Sequence, residues 1–395
     1  MAKRVVLAYS GGLDTSVAVK WISENYGYEV IAMAMDVGQG GDFEVIRHRA
    51  IAAGAVAVEV IDARADFAEN FVLPTLHANA LYEGKYPLVS SLSRPVIVKG
   101  LVETAKKYDA EAVAHGCTGK GNDQVRFEVG IRALNPNLEI IAPVRSWGFS
   151  RADSIDYAQA HSIPIAASKE KPYSIDQNLW GRAVECGEME DPWAEPPHDV
   201  YEMTIPTRQD RSEITITFNE GKPVALDGIA MPFVEVIDKL NVLFGSYGYG
   251  RIDMVENRRV GIKSREVYEA PAALGLILAH SELEDLTLER DLAHEKAKLS
   301  HRIAELIYDG LWFSPLREGL SEFMSYSQRY VTGDVRLALE PNRVYVVGRR
   351  SSYSLYDYEL ATYEKEDQFR HSDAEGFVRI WGLGVETWSK RQGRK

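Results

Sequence analysis

Cysteine is almost missing from this chain. Only Cys117 and Cys186 occur among 395 residues, far apart and without a C-x-x-C pair, so neither a disulfide framework nor a thiolate zinc site is indicated. Long apolar runs are also missing: nothing approaches the roughly 20 residues of a membrane-spanning helix. The opening Met1-Ala2-Lys3-Arg4 leads directly into an apolar segment, not into a signal peptide's core. Positive charge is in deficit, with 45 Lys and Arg against 58 Asp and Glu and a net charge of −13. That balance argues against broad binding to polyanions, which uses Lys and Arg to displace counterions. The expectation is a cytoplasmic globular protein with no nucleic-acid and no membrane partner, long enough for two or three cores.

What is present is concentrated near the start, in Ala8-Tyr9-Ser10-Gly11-Gly12-Leu13-Asp14-Thr15-Ser16. The apolar run Arg4 to Ala8 before it reads as a buried strand. Leu13, Val17 and Trp21 after it recur at helical spacing, with Ala18 on the same face. A strand-to-helix turn of this composition offers a hydroxyl, two positions without Cβ, and free N–H groups at a helix N-terminus. Those groups suit an anion, so the turn reads as a phosphate cradle. It has no lysine, which a Walker A loop needs, and no G-x-G-x-x-G, which a dinucleotide fingerprint needs. The Ser-Gly-Gly-x-Asp-Thr form resembles the pyrophosphatase-type loop of ATP-dependent adenylating enzymes. A plain glycine turn is the alternative.

Further apolar runs follow at Val30 to Met35, Ala55 to Ile61, Ala112 to His115 and Ile140 to Ala142, with helix-compatible segments between them. This alternation predicts an α/β fold, a doubly wound parallel sheet with helices on both faces. The Ser10 turn, the Asp36-Val37-Gly38-Gln39 turn and the Gly116 segment all follow strands, so they should converge on one site at the sheet edge. Ser150 to His161 reads as a helix. Beyond it the pattern changes: Glu188 to His198 is acidic and proline-rich, and reads as an extended connection. Glu213 to Phe218 alternates like a half-buried strand, Met231 to Phe244 and Glu282 to Tyr308 read as helices, and Val335 to Leu339 and Val344 to Val347 as strands. This is a second domain of α+β character. Phe377, Trp381 and Trp388 then form an aromatic stripe on a last helix ahead of the basic tail Lys390 to Lys395, which suggests a subunit contact. The expected domains are 1–165, 166–362 and 363–395.

The segment His115 to Glu128 carries three glycines with Thr118, Lys120, Asn122, Asp123 and Arg126. Its Gly-Lys pair is not a Walker fragment, since Gly121 and Ala114 stand where Ser/Thr and Gly are required. Asn122 and Arg126 share a helical face. Such a set can hold a zwitterionic amino acid, with Arg for a carboxylate and Asp for an ammonium; a solvated polar loop is the alternative.

Four blocks taken together are more specific: Tyr9 to Thr15, Tyr86 through Ser91-Leu-Ser-Arg94-Pro95, His115 to Gln124, and Gly250 to Arg258. In this order, and with the aromatic C-terminal helix, they resemble argininosuccinate synthases over essentially the whole chain. The resemblance implies a pyrophosphatase-loop nucleotide-binding domain, a synthetase domain and a C-terminal oligomerisation helix. It also implies cytoplasmic homotetramers that ligate citrulline and aspartate, with ATP and Mg2+ as substrate and cofactor, in the penultimate step of arginine biosynthesis. ATP would be bound by Ala8, Tyr9, Ser10, Gly11, Gly12, Leu13, Asp14, Thr15, Ser16, Met35 and Gly116. Aspartate would be held by Thr118, Asn122 and Asp123. Citrulline would be held by Tyr86, Ser91, Asn122, Arg126, Ser174, Glu256 and Tyr268. Asp14 and Asp123 would be catalytic. No metal ligand is assigned.

Two positions depart from the family pattern. Ala183 stands where many relatives place a serine at the citrulline site, which removes a hydrogen bond worth roughly 1 kcal/mol. Cys117 stands where some have alanine, and reads as a small buried residue, not a nucleophile. Two rivals stay open at this level: a tRNA-thiolating enzyme with the same adenylating loop, and a non-catalytic ATP-binding regulator.

Overall fold

The structure is a computed structural model, described here for residues 3–164, 173–364 and 367–393. The expected boundary between residues 165 and 166 lies outside the described residues, as do the chain's first two and last two positions. The chain forms two compact units, Met1–Tyr353 and Ser354–Lys395.

Five strands, β1 (Arg4–Ala8), β2 (Glu29–Asp36), β3 (Ala57–Asp62), β4 (Ala112–Ala114) and β5 (Glu139–Ile141), make a sheet in the order β3-β2-β1-β4-β5. Every pairing is parallel. Parallel strands buried on both faces read as continuous apolar runs, which is why β1 was legible as Val5-Val6-Leu7. Alternate residues serve opposite cores. Val6, Ile31, Met33 and Val113 pack under the Val89–Lys107 helix with Leu92, Val96 and Leu101. Val5, Leu7, Ala32 and Ala114 pack against Val17, Ala18 and Ile22 of the Leu13–Tyr26 helix and Ala158 of the Arg151–Ala160 helix. The doubly wound expectation is thus met. Strand order reverses between β1 and β4, the switch point at which doubly wound folds bind ligands.

The remaining strands are β6 (Ser174–Asn178), β7 (Gly181–Glu185), β8 (Ser212–Asn219), β9 (Lys222–Leu226), β10 (Ile229–Ala230), β11 (Arg251–Asn257), β12 (Lys263–Glu269), β13 (Gly333–Glu340) and β14 (Arg343–Arg350). They form two antiparallel sheets, ordered β11-β12-β7-β6 and β10-β9-β8-β13-β14. The second is covered by the Phe233–Ser246 and Pro271–Thr287 helices, whose Phe244 and Leu276 share its core.

Two expectations are corrected. Glu282 to Tyr308 is not one helix. The chain ends one at Thr287, passes through extended Leu288 and begins another at Arg290, where the Glu289 carboxylate accepts from the N–H groups of Asp291 and Leu292. Apolar spacing carries across such a break, so periodicity does not reveal it. The acidic connection is also not extended throughout, since Gly187–Glu190 and His198–Val200 form 3-10 turns.

The second unit contains the helix His371–Gln392, none of whose residues is buried in the single chain. Phe377 is 62% exposed and Trp381 79%.

Candidate active site

The β1 loop enters the Leu13–Tyr26 helix with Gly12 at its cap and no side chain capping it, so the first-turn N–H groups stay available. Gly11 has φ +76°, and a Cβ there would stand 3.2 Å from Ile46, so the turn uses glycine's left-handed conformation. Ser10 Oγ lies 3.1 Å from Thr15 Oγ1 and accepts the Gly12 N–H at 3.3 Å. Arg49 donates to Gly11 O at 2.8 Å, and Tyr9 and Ser16 hydroxyls meet at 2.9 Å below the loop. Ser10, Gly12 and Asp14 are exposed, while Tyr9, Gly11, Thr15 and Ser16 are buried. Ala8 and Leu13 are half-buried.

The three strand-end segments do converge on the edge. A Cβ on Gly116 would meet Thr15 Cγ2 at 3.0 Å. Met35, the last residue but one of β2, sets its methyl against Gly100, where a Cβ would fall 2.2 Å away. Its carbonyl accepts from Gln39. Val37 O accepts the Leu179 N–H at 2.7 Å, linking the β2 edge to the β6–β7 turn.

Beyond Gly116 the chain lines a solvent-open cleft of about 550 Å3. One wall is helical. Asp123, in the first turn of the Asp123–Leu134 helix, places one carboxylate between two guanidiniums: Arg94 at 2.7 Å and Arg126 at 2.9 Å. Arg94 also pairs with Asp176 at 2.9 Å. Burial raises a carboxyl's pKa, but here Arg94 and Arg126 outweigh it and hold Asp123 well below the ordinary range. Arg126 also donates through Nε to Tyr308 O at 3.0 Å.

The other wall is the β11-β12-β7-β6 sheet. Strand period 2 puts alternate residues on one face. Asp176 is registered with Ala183, and Ala183 with Tyr268; Ser174, Glu185, Glu266 and Glu256 fall on the same face and line the cleft. Glu256 is 2% exposed and accepts from Tyr268 at 2.7 Å and Tyr308 at 2.5 Å. Burial and the like charge of Glu266 push its carboxyl up to about 7. Arg258 donates to both Glu185 and Glu266. Tyr86 stacks on Tyr268 with centroids 4.2 Å apart, and its hydroxyl accepts the Ser90 N–H at 2.8 Å. Burial raises both phenols.

Residues 4–164 match the family model for the arginosuccinate synthase N-terminal HUP domain, and 173–388 the one for the arginosuccinate synthase C-terminal domain. Argininosuccinate synthase of Bacillus subtilis is 56% identical over 384 residues, covering 96% of this chain and 95% of its own. That of Oceanobacillus iheyensis is 55% identical over 394 residues, covering 99% and 94%. That of Bacillus pumilus is 58% identical over 384 residues, covering 96% and 95%. The chain belongs to the argininosuccinate synthase family.

Of the residues that the argininosuccinate synthase resemblance singled out for the amino acids, Tyr86, Asn122, Asp123, Arg126, Ser174, Glu256 and Tyr268 line one cleft. Two do not. Thr118 is exposed on the loop before it. Ser91 is fully buried behind the wall, its hydroxyl without a hydrogen-bond partner. Ala183 lines the cleft between Asp176 and Tyr268. Cys117 has its thiol raised by burial, which fits an inert residue. Sequence reasoning passed over Arg94, Asp176, Glu185, Glu266 and Tyr308. Arg94 lay inside a quoted block, and Glu266 two positions before Tyr268 on a strand. The Tyr308 role had no local signal, its partner Asn122 being 186 positions away.

Among the described residues no three His, Cys, Asp or Glu side chains gather to hold a metal.

Proposed function

We propose that the enzyme joins citrulline to aspartate, cleaving magnesium-ATP to AMP and pyrophosphate, as a cytoplasmic homotetramer in the penultimate step of arginine biosynthesis. One observation carries the reading: Gly116 packs on Thr15 of the phosphate loop, and the same chain segment reaches the acidic and basic side chains of the cleft at Asn122. A nucleotide on the loop and an amino acid in the cleft would therefore meet across a few residues of one segment.

The chemistry takes two steps. A ureido group is a weak electrophile. Its oxygen attacks the α-phosphorus, forming the O–P bond of a citrullyl-adenylate while the bond to the β-phosphate breaks and pyrophosphate leaves. The aspartate nitrogen, after giving one ammonium proton to water, attacks the ureido carbon; the C–O bond breaks, AMP leaves, and the nitrogen gives up a second proton to water and keeps one as the product N–H. The protein's part is positioning and charge stabilisation. Ala8 to Ser16 and Gly116 would hold the phosphates, with Met35 beside the adenine; Asp14, in the first helical turn, would face the magnesium ion that neutralises their charge. Asn122, Arg126, Glu256, Tyr86, Tyr268 and Ser174 form the citrulline subsite, with Ser91 buried behind it. Arg126 faces a carboxylate, since its Nη2 has no protein acceptor among the described residues. Thr118, Asn122 and Asp123 receive aspartate, where ionised Asp123 attracts the ammonium.

The test is to incubate the protein with magnesium-ATP, citrulline and aspartate and to identify the nucleotide product, omitting each amino acid in turn. AMP and pyrophosphate forming only with both amino acids is the expected result. Tight ATP binding without turnover would overturn the reading.

A further inference from the structure

The Arg290–Tyr308 helix ends against the cleft wall without lining the cleft. Its last residue, Tyr308, is buried, and its hydroxyl and carbonyl oxygens bond three cleft residues. Its hydroxyl donates to Glu256 Oε1 at 2.5 Å and accepts from Asn122 Nδ2 at 2.8 Å. Its carbonyl accepts from Arg126 Nε at 3.0 Å. The ring stacks on Tyr82 at 3.6 Å and lies under the Arg126 guanidinium at 4.9 Å. Gly310, just past the helix, has φ +77°, and a Cβ there would fall 2.8 Å from Arg126 Cα. The helix end and Arg126 are thus locked together.

The direction of each hydrogen bond follows from one backbone amide. Arg259 N–H donates to Asn122 Oδ1 at 2.9 Å, so the NH2 end of Asn122 is the one facing the Tyr308 oxygen. A phenol has one proton, and with Asn122 donating to its oxygen that proton goes to Glu256. Tyr268 is less committed. Its single O–H stands 2.7 Å from both Glu256 Oε2 and Glu266 Oε2, and serves one carboxylate at a time.

We infer that Tyr308 is a positioning residue for citrulline recognition, the committed donor that keeps Glu256 an oriented carboxylate and ties it to Asn122 and Arg126. The inference rests on the ligase reading above. The groups facing Glu256 are Glu266 and Tyr268 from β12, Arg126 from the Asp123–Leu134 helix, Tyr82 and Tyr86 from the segment before the Val89–Lys107 helix, and Tyr308 itself. Arg258, on the same chain segment as Glu256, is engaged by Glu185 and Glu266. Glu266 opposes the carboxylate and Arg126 favours it, so the loss of one committed donor moves the balance toward the neutral acid.

Tyr308→Phe keeps the stacking and removes the proton. In the full chain, the KM for citrulline is expected to rise about tenfold, as for loss of a hydrogen bond to a charged group. The KM for ATP should change little. The acid limb of kcat/KM for citrulline should move about one pH unit to the alkaline side. In a Glu256→Gln background the same substitution should leave the pH profile where it is. Incorporating 3-fluorotyrosine at 308, which preserves the fold and strengthens the donor, should move the limb the opposite way. An unmoved acid limb, or ATP and citrulline constants rising together, would overturn the positioning role. A parent enzyme forming no AMP from citrulline and aspartate would instead overturn the ligase reading, and this inference with it.

Discussion

Asp123 and Arg94 meet at 2.7 Å, joining the first turn of one helix to the second turn of another. Arg94 carries Asp176 on its other side, so this one guanidinium ties both helices to the β6 edge of the cleft.

Replacing Asp123 by Asn removes the charge shared by Arg94 and Arg126 while keeping the side chain's shape. Use of aspartate is expected to fall by about a hundredfold, because two guanidiniums would then face the incoming ammonium without the carboxylate between them. Formation of the adenylate should fall much less. Citrulline-dependent exchange of labelled pyrophosphate into ATP, measured without aspartate, separates the two steps; equal loss in both refutes the assignment.

Arg126→Lys keeps a positive charge and loses the planar fork. The parent side chain donates to Asp123 and to the Tyr308 carbonyl at once, and a lysine cannot make both bonds and still present a donor pair to a carboxylate. The KM for citrulline should rise about tenfold or more. An unchanged constant in steady-state kinetics contradicts this.

The raised Glu256 carboxyl links activity and stability in opposite senses. Its folded pKa of about 7 exceeds the ordinary value of about 4.3, so the folded chain holds the extra proton between these values. The group's contribution to folding is therefore fully present at acid pH and is lost as pH rises through about 7. On the proposed reading the carboxylate is the form that binds citrulline, so binding should strengthen over the same rise. Glu256→Gln is expected to weaken citrulline binding, yet to raise Tm at pH 8 by about 2 °C relative to the parent, with the gap closing near pH 5. Calorimetry at the two pH values checks the sign.

Removal of the residues after Gly376 takes away most of an exposed aromatic face, including Phe377, Trp381 and Trp388. A patch of this kind marks an interaction surface. The truncated chain should show a smaller mass by light scattering than the full chain; an identical mass rules out this helix as the subunit contact.

The parallel sheet, the glycine turn between β1 and the first helix, and the Asn122–Arg126 helical face were legible in residue order because each is a local consequence of backbone geometry. Continuous apolar runs make buried parallel strands, and a glycine turn ahead of a helix exposes its N–H groups. The antiparallel sheet that supplies Glu256, Glu266 and Tyr268 was harder to see. Its strands carry mostly polar side chains on the cleft face, so the apolar alternation that marks a strand is weak there. What tertiary structure alone decided is which distant groups share protons. Tyr308 reaches Asn122 and Glu256, and Arg94 reaches Asp176, only because helix and sheet pack across the cleft. Hydrogen bonds and ion pairs act over a few ångströms of space, and spacing along the chain does not encode that distance.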